Sequence, residues 1–88
     1  MFPLIWLHGA LEELADVHVA VTLPEQDRIA AAVEALNARL RSDPLNEGES
    51  RHSGYRLTFI DLLAVTFHVS DRDNLVRVVS VKRSGGRR

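Results

Sequence analysis

Cysteine is absent from the 88 residues. That removes disulfide scaffolds, thiolate metal sites and thiol nucleophiles, and it suits a reducing cytoplasm. Long apolar runs are missing too. The stretch Met1-Phe2-Pro3-Leu4-Ile5-Trp6-Leu7 has no basic flank and gives way at once to His8 and Glu12-Glu13, so neither a signal peptide nor a membrane span is expected. No internal repeat occurs, and the one biased segment is the tail Ser84-Gly85-Gly86-Arg87-Arg88, which composition predicts to be mobile. A chain of this size buries only about 60% of its unfolded surface. A single domain over residues 1–83 with a basic tail at 84–88 is the organisation expected. The four histidines, His8, His18, His52 and His68, lack the close His/Glu spacing of a metal-binding motif, and nothing in the chain calls for a metal or a cofactor.

What is present is charge, unevenly placed. Residues 1–50 hold nine acids against three bases, and residues 51–88 hold eight bases against three acids. The formal net charge of −1 therefore hides a dipolar molecule whose second half suits a polyanion better than its first. That second half contains three short runs rich in β-branched and aromatic residues, Tyr55–Ile60, Leu63–Val69 and Leu75–Arg83. Short connections with turn chemistry separate them, which predicts a three-stranded antiparallel meander. In the middle run His68 alternates with Ala64 and Thr66, opposite Leu63, Val65 and Phe67, which should make core.

The first half predicts a strand and two helices. Leu4 to Leu7 follows a proline of the kind found at strand starts and edges. The segment from Ala10 to about Val21 carries both periods, with Leu7, Leu11, Leu14 and His18 at helical spacing and Val17, Val19 and Val21 alternating; it is read as helix. Thr22-Leu23-Pro24-Glu25 fits a capping box, with proline harmless in the first turn. Beyond it Ile29, Val33, Leu36 and Leu40 make one apolar stripe, expected to lie on the sheet. The helix should stop near Ser42 or Asp43, ahead of Pro44, and a polar loop from Asp43 to Arg51 should lead to the meander.

The order strand, helix, helix, strand, strand, strand, with Leu11-Glu12-Glu13-Leu14, the Arg41-Ser42-Asp43-Pro44 exit, the Gly48-Glu49-Ser50-Arg51 loop and the last run from Val78 to Arg83, resembles the RelE/ParE superfamily of toxins from bacterial type II toxin-antitoxin systems. The resemblance spans roughly Leu4 to Arg83 and rests on pattern. It implies an α+β fold with a β-α-α-β-β-β order and a curved, mostly antiparallel sheet carrying a helical hairpin on one face. It implies a cognate antitoxin as partner, a segment of which wraps the helices and covers the sheet. RelE-type members cut messenger RNA in the ribosomal A site, whereas ParE-type members poison DNA gyrase, so the fold does not choose the activity.

RNA cleavage by 2′-hydroxyl attack needs a proton acceptor, cations for the phosphorane and an acid for the leaving oxygen. The resemblance places these on basic residues of the first meander strand, an arginine of the middle strand, a basic residue ending the last strand, and a tyrosine or histidine near the C-terminus. Arg56 matches the first position, and Lys82 or Arg83 the end of the last strand. Leu63-Ala64-Val65 stands where the middle arginine is expected, and nothing after Arg83 supplies a tyrosine, histidine or acid. His68 is the candidate that restores acid or base chemistry. Arg51, His52 and Arg77 are the candidate substrate-binding residues. Each also has a plain structural reading: Arg56 and Arg77 as the wet face of a one-sided sheet, Arg51 paired with Glu47 or Glu49, and His52 as a loop residue. Two function classes follow: a weak or degenerate ribosome-dependent endoribonuclease, or a non-catalytic binding module of the same fold, either a gyrase inhibitor or a silent relative that holds an antitoxin.

Overall fold

Strict alternation in the middle run builds the strand on which the sheet is organised. The computed structural model describes residues 1–84; residues 85–88, most of the tail expected to be mobile, lie outside the described residues. Strands β3 (Tyr55–Ile60), β4 (Leu63–Ser70) and β5 (Leu75–Arg83) form the expected antiparallel meander. Two short strands extend it. β1 (Leu4–Trp6) lies parallel to β5, and β2 (Glu49–Ser50) pairs antiparallel with β3, giving the order β1-β5-β4-β3-β2. The helices α1 (His8–Val19) and α2 (Leu23–Ser42) complete an α+β fold, with a single 3-10 turn at Pro44–Asn46 after them.

The dual-period segment resolves to helix, starting two residues earlier than the spacing predicts and ending two earlier. α2 opens as its sequence dictates. The Thr22 hydroxyl accepts the Glu25 N–H, and the Glu25 carboxylate accepts the Thr22 N–H. One difference concerns the apolar stripe. Ile29, Leu36 and Leu40 are buried together with Ala32, whereas Val33 is only half-buried. The buried line is thus turned toward Ala32, and Val33 looks toward α1.

On β4, Leu63, Val65, Phe67 and Val69 face the helices, joined by Val76, Val78 and Val81 of β5. On β3 the parity is the reverse of what hydropathy suggests. Pairing Ile60 with Leu63 across the two-residue turn sends Thr58 and Arg56 to the helix side and Tyr55, Leu57 and Phe59 to the open side. Thr58 is buried at 4% exposure while Phe59 is 60% exposed. Ile60 joins the core, but the inward Thr58 and Arg56 meet the chain leaving α2 rather than an apolar helix face. The Thr58 hydroxyl donates to Glu47 Oε2 at 2.7 Å, and Arg56 donates from Nε to the Glu47 carbonyl at 2.9 Å and from Nη2 to the Gly48 carbonyl at 3.2 Å. Gly48 has φ +68°, and a methyl group there would overlap the Leu57 carbonyl, so only glycine lets this loop lie flat on β3.

Substituting Leu36 by alanine is expected to cost about 2–5 kcal/mol, the range for emptying a fully buried aliphatic site. Val33→Ala should cost about 1 kcal/mol or less, because much of that side chain stays accessible. Denaturant unfolding of the two variants checks the rotation of the stripe: equal losses would contradict it.

Candidate functional site

The face of the sheet away from the helices is open, and register sets which side chains share it. Across β3, β4 and β5 the outward rows are Tyr55, His68, Arg77; then Leu57, Thr66, Ser80; then Phe59, Ala64, Lys82. Ile5 of β1 continues the first row beside Arg77. A bulge between Thr66 and Phe67 adds Val79 to β5 and keeps the last row in phase.

The expected basic positions are distributed differently from what their sequence suggests. Arg56 is not on the wet face. It points to the helix side and fastens the Glu47-Gly48 loop, as described above. Lys82 begins on the open face in the row of Ala64, but its ammonium pairs with Glu13 of α1. Arg83, one residue on, faces the helices, where its guanidinium stands 3.6 Å from Glu25. Arg51 pairs with Glu49 at 3.2 Å, one of the two acids proposed for it, while Glu47 meets Arg39 at 3.7 Å. Four of the expected cations, Arg51, Arg56, Lys82 and Arg83, are therefore drawn into the scaffold.

Two of the carboxylates concerned have shifted proton affinity. Hydrogen bonds from Lys82 and from the Val81 N–H hold the Glu13 carboxyl below the ordinary value of 4.5. The second bond, 2.9 Å, also occupies a donor on β5 past the point where β1 ends, so the side chain closes an exposed strand edge. Glu25 is likewise lowered, first by the Thr22 N–H and then by the Thr22 hydroxyl, with Arg83 and Arg28 adding weaker attraction.

His68 and Arg77 stay together on the open face, and the structure adds a residue to them. Tyr55, read from sequence only as a strand residue, packs edge-on against the His68 ring at 4.7 Å between centroids, and His52 lies 6.3 Å beyond, tilted by 44°. The hairpin was the available signal: a two-residue link at Asp61-Leu62 puts Tyr55 opposite His68. His68 is further held by its turn. Its Nε2 lies 3.1 Å from the Ser53 carbonyl, which can only accept, so Nε2 carries the proton and Nδ1 is the ring's acceptor nitrogen. Ser53 and Gly54 both have positive φ, 56° and 83°, and a methyl on Gly54 would stand 3.0 Å from His68 Nε2 and 2.9 Å from the Val69 carbonyl. The backbone is bent closely around this imidazole, at a strain cost of order 1 kcal/mol for the serine. Arg77 has no hydrogen-bond or ion-pair partner among the described residues.

The helical side carries a second surface. α1 and α2 leave between them an apolar groove of 530 Å³, lined by Leu11, Leu14, Val19, Ile29, Ala30 and Val33. Glu34 and His18 also line it. Leu11 and Val19 are largely exposed. Among the described residues no cluster of three or more histidines and acids can hold a metal ion, and no helix is long and apolar enough to cross a membrane.

The lowered carboxyls predict a direction for acid sensitivity. Both groups bind protons more weakly in the folded than in the unfolded chain, so the unfolded state gains protons first as pH falls. Their stabilisation is complete above the ordinary value of 4.5 and is lost as pH drops through their folded values. Thermal unfolding from pH 7 down to pH 3 should show this loss. Glu13→Gln should start lower at neutral pH and fall less steeply; an unchanged slope would contradict the assignment.

Neither a protein-family model nor a curated protein matches the sequence, but solved structures do match the fold. A chain of the RelBE2 toxin-antitoxin complex from Mycobacterium tuberculosis superposes with a TM-score of 0.71 at 19% identity, covering 94% of this chain and 98% of that one. A chain of the chromosomal ParDE toxin-antitoxin system from P. aeruginosa gives 0.71 at 16% identity, covering 94% and 96%. The isolated RelE toxin of E. coli gives 0.67 at 16% identity, covering 99% and 88%. At these identities the likeness is one of architecture, and over nearly its whole length the chain has the fold of the RelE/ParE toxins.

Proposed function

We propose that this chain is the toxin-type member of a toxin-antitoxin pair, that it acts by binding, and that its ribonuclease activity is close to background. The observation that carries this reading is the engagement of Arg56, Lys82 and Arg83 by the Glu47-Gly48 carbonyls, Glu13 and Glu25. A cation paired with a carboxylate is already neutralised, and an arginine turned under the sheet cannot reach a phosphate on the open face. Ala64 removes the charge expected on the middle strand. Loss of one preorganised electrostatic contact typically costs about 10²–10³ in rate, so a site missing several works at or below detection.

The antitoxin partner is supported by the groove between the helices. An apolar trough with exposed Leu11 and Val19 suits the apolar face of an amphipathic helix. The neighbouring helix surfaces carry Glu12, Asp16, Asp27 and Glu34, while Arg28 is occupied by Asp61. That favours a helix whose apolar stripe is flanked by lysines or arginines. Among the structural relatives, one is a toxin-antitoxin complex and another belongs to a toxin-antitoxin system, which supports such a partner.

Two measurements test the proposal. Primer extension on translating ribosomes should show no A-site cleavage by the wild type or by Arg56→Ala, and any gain should appear with Ala64→Arg; strong cleavage by the wild type would overturn the binding-only reading. Co-expression with the product of the adjacent reading frame should yield a stable complex, which Leu11→Glu should weaken at least tenfold, a loss of about 1.4 kcal/mol or more. A complex indifferent to Leu11→Glu would place the partner elsewhere.

A further inference from the structure

We infer that Tyr55, His68 and Arg77 form a phosphate-binding site at the end of the open face where β3 begins. This site is distinct from the row containing Ala64 and Lys82, which lies four residues along β3, about 13 Å away at the usual rise per residue. The inference goes beyond the toxin reading and does not depend on it.

Three observations converge. Arg77 is a half-buried residue whose guanidinium has no partner among the described residues, whereas the other strand cations, Arg56, Lys82 and Arg83, are each engaged. Its cross-strand neighbours are Ile5 on one side and His68 on the other, so no carboxylate competes for it within its own row. Directly paired residues have Cβ atoms about 4.5–5.5 Å apart, close enough for imidazole and guanidinium to address one ligand.

The second observation is the state of His68. Because Ser53 fixes the proton on Nε2, Nδ1 presents a lone pair when the ring is neutral and a second N–H when it is protonated. A neutral ring accepts from a protonated oxygen of the ligand, and an imidazolium donates to a bare one. Phosphate offers both kinds of oxygen near neutral pH, and the planar fork of arginine matches two of the remainder. A monovalent carboxylate offers only two oxygens and no acidic hydroxyl once ionised.

The third observation is the backbone. Two consecutive positive-φ residues, Ser53 and Gly54, close the β2–β3 hairpin, and the turn they make lies against the imidazole. The Tyr55 ring meets the same imidazole edge-on. The ring is thereby held in one orientation by the turn and by Tyr55. The adjacent His52 and Tyr55 rings, both exposed and tilted by 44° to one another, each offer an aromatic face beside the phosphate on which a nucleobase can stack. The ligand class is accordingly a phosphate ester, with a nucleoside monophosphate bound more tightly than inorganic phosphate.

The experiment is a titration of the intact chain followed through the His68 ring resonances, with inorganic phosphate, a nucleoside monophosphate and acetate as probes at matched ionic strength. Saturable shifts with both phosphates, tighter for the nucleotide, are expected, with acetate at least tenfold weaker. Arg77→Gln and His68→Gln should each weaken phosphate at least tenfold, and Arg77→Lys should retain part of the affinity. Arg72→Gln, in the β4–β5 turn, should bind as the wild type does. Thermal unfolding of each variant separates lost binding from lost folding. Absence of any saturable shift in the wild type, equal response to acetate, or unaltered binding by folded Arg77→Gln would each overturn the site. Equal affinity for phosphate and nucleotide would overturn the stacking surface. None of these outcomes bears on whether an antitoxin is held at the helices, so the two proposals fail separately.

Discussion

The pairing of Ile60 with Leu63 across two residues is the constraint from which the rest of the molecule follows. Asp61 occupies that turn at φ +49°, a conformation tolerated better by aspartate than by most residues. Its carboxylate is gripped by Arg28 of α2, which donates from Nε at 3.2 Å and from Nη2. The helix thus holds the hairpin by its tip. A slip of one residue would turn every β3 side chain over. Thr58 and Arg56 would lose the Glu47-Gly48 loop, the β2 pairing would have no template, and Tyr55 would leave His68. The face that carries the open rows exists because of one short turn and the ion pair that anchors it.

Much of this was readable in the residues. The capping box at Thr22 and Glu25, the stop before Pro44 and the alternation of β4 are local signals, and local signals survive into the fold. β3 was not readable in the same way. Tyr55, Leu57 and Phe59 alternate as if they were the core face, and Arg56 and Thr58 as if they were wet. Their true parity depends on which element lies beneath them, and that element is a polar loop from elsewhere in the chain. Hydropathy reports what a side chain prefers, not what it is offered. Val33 differs for a related reason: helical spacing permits two adjacent stripes, one through Val33 and one through Ala32, and only the position of the sheet chooses between them.

The sites follow the same division. His68 and Arg77 were identifiable as chemistry-bearing residues on strands, but Tyr55 became part of their group only through cross-strand register. Lys82 and Arg83 looked equivalent in sequence, yet adjacent strand positions face opposite ways, and each meets a different glutamate from a different helix. The segregation of acids and bases along the chain, which suggests two separate surfaces, is partly cancelled in space. Glu13 reaches Lys82 and Glu25 reaches Arg83 across most of the sequence. Charge patterning along a chain describes a surface only after the fold has shown which charges face each other.

The parallel pairing of β1 with β5 has a consequence for how the molecule comes into being. Leu4, Ile5 and Trp6 find their partners only at Val76, Arg77 and Val78, nearly a whole chain later. While the chain is being made, the first strand is without a neighbour and the groove-forming helices have no completed sheet to rest on. Contacts of such long sequence separation slow folding. The clasp of Glu13 on β5 and the seat of Arg77 beside Ile5 therefore both wait until β5 has been made. The edge of the sheet at β1 and β5 cannot be completed on an unfinished chain, so the timing of synthesis itself limits when that edge can exist.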